Sequence, residues 1–230
     1  MTGLVTICDP HGQPLQRFVR TRGQPQRPKQ HRLKQLWVDS KPSTVGPSCQ
    51  DGEIIKLIKA RRWHEHIKIL WAHSRTHKEV VGADLLQQLG LNTPAIHEMG
   101  ISLPIFPQSR YIGYYVMDNL LSQGLQEVHQ LFEDPNTPES LRLTIIDNIC
   151  AGLQAMYRNK IVFTDFHLAN VFCNSDGDLT WIDTGITVYH MRNKREQKYA
   201  ASIQRLVNYY DDSMFTQQEK QRLLQCLAIA

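Results

Sequence analysis

Residues 161–185 read IVFTDFHLANVFCNSDGDLTWIDTG. Two short apolar runs, Val171-Phe172-Cys173 and Leu179-Thr180-Trp181-Ile182, flank the turn-forming stretch Asn-Ser-Asp-Gly-Asp, which predicts a β-hairpin with a glycine-containing loop. Asp165 and Asn170 stand just before this hairpin, and Asp183-Thr184-Gly185 follows it directly. Taken singly, each is an ordinary turn former, because Asp and Asn side chains bond their own backbone, and Asp-x4-Asn arises by chance in many chains. Here three such side chains bracket one hairpin.

Working outward, the residues before this stretch read as a helix with Thr137 as cap and Pro138 in the first turn. Its core stripe is Leu141, Ile145, Ile149, Leu153 and Met156 or Tyr157. After it, two further helices are expected near 193–210 and 216–228. Tyr111 to Met117, rich in aromatic and β-branched residues, predicts a strand. Asp51-Gly52 is a turn signal that feeds the apolar run Ile54-Ile55-Lys56-Leu57-Ile58, and Leu36-Trp37-Val38 reads as another short strand. Alternation puts Lys56 on one face with Ile54 and Ile58, and Lys59 on the other. Residues 61–78 read as a helix with Trp63, Ile67, Leu70 and Trp71 on one side. The helix continues from Glu79 with Val81, Leu85 and Leu89 at fourfold spacing, and Gly90 supplies a C-terminal cap. Strands and a helix first, then mainly helices with one late hairpin, indicate an α+β chain in two lobes. Residues 36–117 would form a small, mostly β N-lobe with one long helix, and residues 118–230 a mainly helical, truncated C-lobe. Residues 1–35, polar and basic, read as a flexible or partly ordered N-terminal segment.

With 230 residues and 41% hydrophobic content, the chain can bury a sizeable core. No apolar run has the length to cross a bilayer, and the first residues lack a signal-peptide plan, so a cytoplasmic protein is expected. Five scattered cysteines without C-x-x-C spacing point to reduced thiols rather than a zinc knuckle. His64, His66, His73 and His77 are read as a polar helix face, not a metal site, for want of Cys or acidic partners at ligand spacing. Charge is uneven: residues 1–78 carry 15 Lys/Arg against 5 Asp/Glu, and residues 79–230 carry 11 against 17. That basic front half suits either an anionic partner or a solvated arm. It lacks a recognisable nucleic-acid module or interleaved aromatics, so no specific nucleic acid is expected.

The 161–185 stretch resembles the catalytic loop and metal-binding turn of the protein-kinase-like superfamily, whose pattern is H-R-D-x-x-x-x-N followed by D-F-G. Asp165 and Asn170 keep the interval, and Asp183-Thr184-Gly185 stands at the D-F-G place after a hairpin of the right kind. The resemblance implies a bilobal kinase-like fold, ATP and Mg²⁺. Asp165 would be the catalytic base, with Asn170 and Asp183 as metal ligands. Lys56 looks like the strand lysine that holds the nucleotide phosphates, Glu79 like the glutamate that pairs with it, and Met117-Asp118 like the adenine-binding hinge. His167 resembles the histidine of aminoglycoside-phosphotransferase-like and sugar kinases. Residues 78–94, KEVVGADLLQQLGLNTP, are similar to a phrase of the lipopolysaccharide core kinase family. By that resemblance the acceptor is a sugar hydroxyl of inner-core Kdo or heptose, or another glycan, and the work is done at the inner face of the inner membrane. Peripheral contact with anionic lipid would follow if Trp63 and its neighbours face outward beside Arg61, Arg62 and Lys68.

Several positions depart from the superfamily pattern. Phe163-Thr164 replaces His-Arg, Thr184 replaces the D-F-G phenylalanine, and no G-x-G-x-x-G covers the phosphates, leaving Gly46 as an abbreviated cover. Only 47 residues follow Asp183, without A-P-E, so a small-molecule or glycan acceptor is expected rather than a peptide. The alternative reading is a kinase-like pseudoenzyme acting as a regulatory binding module.

Overall fold

The computed structural model describes residues 3–69, 73–102, 110–210 and 214–228. It divides into two compact units, residues 1–81 with 94–123 and residues 82–93 with 124–230.

The first unit is built on an eight-stranded sheet. In chain order its strands are β1 (Leu4–Cys8), β2 (Pro14–Gly23), β3 (Gln30–Arg32), β4 (Val38–Asp39), β5 (Ser43–Pro47), β6 (Glu53–Lys59), β7 (Ile96–Ile101) and β8 (Tyr111–Asp118). They are arranged β3-β1-β2-β7-β8-β6-β5-β4. Between β6 and β7 come α1 (His64–Lys68) and α2 (Arg75–Gln88). β6 lies near the middle, paired antiparallel to β5 and β8, and its residues from Ile54 to Lys59 are all buried. Its alternation serves two cores. Ile55 and Leu57 join Val5, Ile7, Phe18, Leu33, Tyr114 and Val116 on one face. Ile58 joins Val80, Met99, Ile112 and Tyr115 on the other.

That first core corrects the reading of residues 1–35 as a flexible or partly ordered segment. β1, β2 and β3 belong to the sheet, and Val5, Ile7 and Phe18 are fully buried against β6 and β8. The basic residues there are also partly internal. Arg20 Nε and Arg27 Nε lie 3.1 and 3.2 Å from the buried carboxylate of Glu98, and Arg27 makes a second, bidentate pair with Glu53 at 2.5 and 2.9 Å. Burying a side chain like Arg20 is tolerable only with such partners.

The expected stripe on residues 61–78 divides. Ile69 is buried, but Trp63 is 75% exposed and Ile67 is 40% exposed, while Leu70 and Trp71 lie outside the described residues. On α2 the buried positions are Thr76, Val80, Gly82, Ala83 and Leu86; Val81 is exposed, and Leu85 and, just beyond the helix, Leu89 are partly buried.

The second unit is mainly helical. Its elements are β9 (Gln126–Glu127), α3 (Val128–Glu133), α4 (Glu139–Arg158), β10 (Ile161–Val162), β11 (Val171–Cys173), β12 (Leu179–Trp181), β13 (Thr187–Val188), α5 (Arg192–Tyr209) and α6 (Gln217–Ala228). α4 buries Ile145, Ile149, Leu153, Met156 and Tyr157, as its spacing predicts, and adds Ile146. Its cap position is Pro138 rather than Thr137, with no side-chain cap bond. α6 opens on a capping box: Thr216 Oγ1 accepts from Glu219 N at 3.2 Å, and Glu219 Oε2 accepts from Thr216 N at 2.7 Å. The same glutamate, 1% exposed, takes both Nε and Nη2 of Arg142 at 2.7 and 2.8 Å, fastening α6 to α4. Cys8, Cys49 and Cys173 are free thiols, but Cys150 is disulfide-bonded, against the reading of five reduced cysteines.

Candidate active site

The hairpin expected at 171–182 is present. β11 and β12 pair antiparallel with Val171 opposite Trp181 and Cys173 opposite Leu179, and β9 adds a third strand that its two residues gave no means to foresee. The loop closes as the sequence suggests: Asn174 Oδ1 accepts from Asp176 N at 3.0 Å and Asp178 N at 2.9 Å, and Gly177 takes φ +84°.

The loop before it folds back on its own side chains. Asn170 is buried and donates from Nδ2 to the carbonyl of Asp165 at 3.2 Å, which turns its amide oxygen the other way. The Asn170 carbonyl in turn accepts from Ile182 N at 2.9 Å, so the loop and the hairpin exit are joined one residue before Asp183. Leu168 N bonds the phenol oxygen of Tyr210 at 3.0 Å, anchoring the loop to the end of α5. Asp165 itself points to solvent: its side chain is 87% exposed, with one oxygen held by Arg205 Nη1 at 3.0 Å.

His167, between the two aspartates in sequence, feels both. Burial lowers its pKa below the usual imidazole value, and the fields of Asp183 and Asp165 oppose that shift. The ring is therefore biased to its neutral form despite two acidic neighbours.

Asp183 has φ +52°, in the left-handed region that L-residues other than Asn and Asp rarely visit. The chain then makes two tight i-to-i+2 bonds, Gly185 N to Asp183 O at 2.7 Å and Ile186 N to Thr184 O at 2.6 Å. This turn lies against Gly82 of α2: a Cβ there would stand 1.8 Å from the Thr184 carbonyl oxygen. Gly82 thus supports the turn that follows Asp183, a role sequence reasoning missed. The signal was present, since glycine inside a helix costs about 1 kcal/mol relative to alanine and marks a close approach. Arg205 was missed too, because nothing in the sequence links it to a residue forty positions earlier.

In the first unit, Lys56 Nζ lies 3.1 Å from Glu79 Oε2, and both side chains are largely buried. Tyr115, directly opposite Lys56 in the β6–β8 ladder, donates its hydroxyl to the same Glu79 oxygen at 2.7 Å. Lys56 and Glu79 are thus brought together as the sequence reading expects. The competing lysine, Lys59, is spoken for on the opposite face, by Asp39 Oδ1 and Ser40 O, both at 2.5 Å. Met117 packs beside the Ile58–Tyr115 core, and Asp118 bonds His97 Nε2 at 2.6 Å and Ala95 N at 3.3 Å. Gly46 is not a phosphate cover: it sits inside β5 opposite Ile55, and a Cβ would meet the Gln35 carbonyl oxygen at 2.1 Å.

Residues 123–218 match the family model of the ABC1 atypical kinase-like domain. The fold is kinase-like. The matched span contains Asp165, His167, Asn170 and Asp183, and it supports a phosphotransferase of the protein-kinase-like superfamily without pointing to the lipopolysaccharide core kinases. A comparison with curated proteins finds no match.

No cluster of three or more His, Cys, Asp or Glu that could hold a metal occurs among the described residues. One carboxylate and one amide oxygen are too few for a resident ion. They suit Mg²⁺, which binds through one or two protein oxygens and completes its shell with substrate phosphates and water. Asp183 and Asn170 would hold it, and its charge would offset that of the phosphates.

Proposed function

We propose that this protein is an ATP-dependent kinase whose acceptor is a sugar hydroxyl, with an inner-core Kdo or heptose of lipopolysaccharide as the best-matching substrate. The observation that carries the kinase reading is the loop–hairpin junction: Asn170 bonds back to Asp165 while its carbonyl holds Ile182, beside Asp183. Asp165 accepts the proton of the acceptor hydroxyl on Oδ2, the oxygen not bonded to Arg205. The hydroxyl oxygen forms a bond to the γ-phosphorus as the bond to the β,γ-bridging oxygen breaks, leaving ADP. Lys56, steadied by Glu79 and Tyr115, is the residue assigned to the nucleotide phosphates. Positioning and charge neutralisation supply most of the rate in such transfers.

The narrower substrate reading rests on the 78–94 phrase. The test is incubation with labelled ATP and de-phosphorylated lipopolysaccharide core, followed by mass spectrometry of the glycan. A phosphate gained by the core with wild-type protein, and lost with Asp165→Asn at unchanged thermal stability, is the expected result. Near wild-type turnover by Asp165→Asn removes Asp165 as the base. ATP binding without transfer to any glycan favours the pseudoenzyme.

Peripheral contact with an anionic membrane belongs to the same proposal. Trp63 and Ile67 are exposed, and Arg61, Arg62 and Lys68 beside them are exposed as well. An apolar side chain among cations is the composition of an interfacial contact. Co-sedimentation with phosphatidylglycerol vesicles at low salt, weakened by Trp63→Ala and by high salt, is expected; equal sedimentation of the variant would dismiss the contact.

A further inference from the structure

Arg205 spends only one corner of its guanidinium on the candidate base. Nη1 donates to Asp165 Oδ1 at 3.0 Å and to the Thr164 carbonyl at 3.1 Å. Nε and Nη2 make no hydrogen bond to any described residue, and the side chain is 58% exposed. An ion pair this open to water adds little to stability, so fold maintenance is a weak reason for it. The guanidinium is a planar fork whose free edge matches a carboxylate or phosphate through two parallel bonds.

The rest of α5 continues the same charge. At 100° per residue, Lys194, Lys198, Ala201 and Arg205 fall on one stripe, and all four are exposed. The stripe runs about 16 Å at 1.5 Å per residue. It contains no acid: Glu196, the one acidic residue of α5, lies on another side of the helix and pairs with Arg192 at 2.7 Å. Ala201 leaves a low point between the lysines and Arg205. A merely solvated face would not end on the candidate base.

We infer that this stripe of α5 receives the anionic part of the phosphoryl acceptor, and that Arg205 is the residue that decides acceptor specificity. A carboxylate or phosphate seated on Nε and Nη2 sets a neighbouring hydroxyl at Oδ2 of Asp165, while Nη1 keeps that side chain in place through Oδ1. Lys194 and Lys198 attract the remaining negative charge of the same acceptor. The inference rests on the reading of Asp165 as base, but the binding it describes does not require turnover.

The test therefore measures binding. Fluorescently labelled, de-phosphorylated core saccharide freed of lipid A is titrated with the protein in Mg·ADP, beside the same saccharide with its carboxylates reduced to alcohols. Wild-type protein is expected to bind the acidic form at least about tenfold more tightly, the scale of one charge-assisted contact. Lys194→Ala/Lys198→Ala and Arg205→Ala should each lose that preference, with Arg205→Lys recovering part of it. Equal binding of the acidic and reduced forms by wild type, or a preference kept by both variants, overturns the inference. Phosphatidylglycerol vesicles form a second arm. If they lose affinity with the lysine variant while the saccharide does not, the stripe reads lipid and the inference is likewise overturned. A kept preference for the acidic saccharide with no phosphoryl transfer would count against the kinase reading instead, so the two failures are separable.

Discussion

Glu98 is the residue whose environment departs furthest from that of a surface carboxylate. It is fully buried on β7, with Arg20 Nε, Arg27 Nε and His31 Nε2 at 3.1 to 3.2 Å and a hydrogen bond from the hydroxyl of Tyr114. Burial alone would raise its pKa, but the His31 and Tyr114 bonds and the nearby charges pull it down to about 2. The phenol of Tyr114 is held above its ordinary value by burial and by the same carboxylate. A carboxyl depressed in the folded state stabilises the protein above its unfolded pKa and loses that contribution as pH falls through the folded one. Glu98 therefore contributes in full above about pH 4.5, and its contribution, on the order of 3 kcal/mol, is gone below about pH 2. Replacing it by Gln leaves the buried guanidinium of Arg20 without its anion, while Arg27 keeps Glu53; the loss costs on the order of 3 kcal/mol at neutral pH. Urea unfolding of Glu98→Gln and wild type between pH 7 and pH 2 should show a large difference that narrows toward the acid end. A constant difference across that range would mean that Glu98 is not ionised in the fold.

At the scale of elements, the supports of the site lie where one element crowds another. Gly82 allows α2 to touch the Thr184 carbonyl, and a methyl group there would overlap an oxygen of the backbone rather than a side chain that could swing away. Gly82→Ala should raise intrinsic helix propensity by about 1 kcal/mol and still weaken the proposed binding of Mg·ATP, because the 183–186 turn must move. Isothermal titration should find a several-fold weaker dissociation constant with little loss of thermal stability; unchanged affinity would mean that the turn accommodates the methyl. The elements that carry this site differ in how far the sequence disclosed them. α4, α5 and α6 and the β11–β12 hairpin are legible because their signals are local, such as the fourfold apolar spacing of α4 and the glycine in the five-residue loop of the hairpin. β7 and β9 are not, since one is broken by Glu98 and Gly100 and the other is two residues long. The Lys56–Glu79 pair was legible by resemblance, and the structure adds Tyr115, the cross-strand neighbour that holds Glu79 to it. Arg205 needed the fold, because α5 meets the 164–165 backbone only through tertiary contact.

At the scale of the chain, the uneven charge noted in the sequence takes on a different meaning. Part of the positive excess of residues 1–78 is not offered to a partner: Arg20 and Arg27 are consumed by Glu98 and Glu53. Their acceptors lie up to 78 positions away in sequence from the strand that carries Arg20, which is why composition alone reads the segment as a solvated arm. The same strands bring Val5, Ile7 and Phe18 over Ile55, Leu57, Tyr114 and Val116. Deleting residues 1–35 removes that cover and strips Glu98 of Arg20, Arg27 and His31 at one stroke. Each fully buried Val, Ile or Phe contributes about 1.5 to 3 kcal/mol, so losing three removes about 4.5 to 9 kcal/mol, comparable to the whole 5 to 15 kcal/mol margin of a typical domain. The truncated chain should fail to give a cooperative thermal transition and should bind a hydrophobic dye, with residues 124–228 the part that keeps helical circular dichroism. If it instead unfolds cooperatively near the wild-type temperature, β1 to β3 are an appendage, and the basic segment is again free to serve an anionic partner.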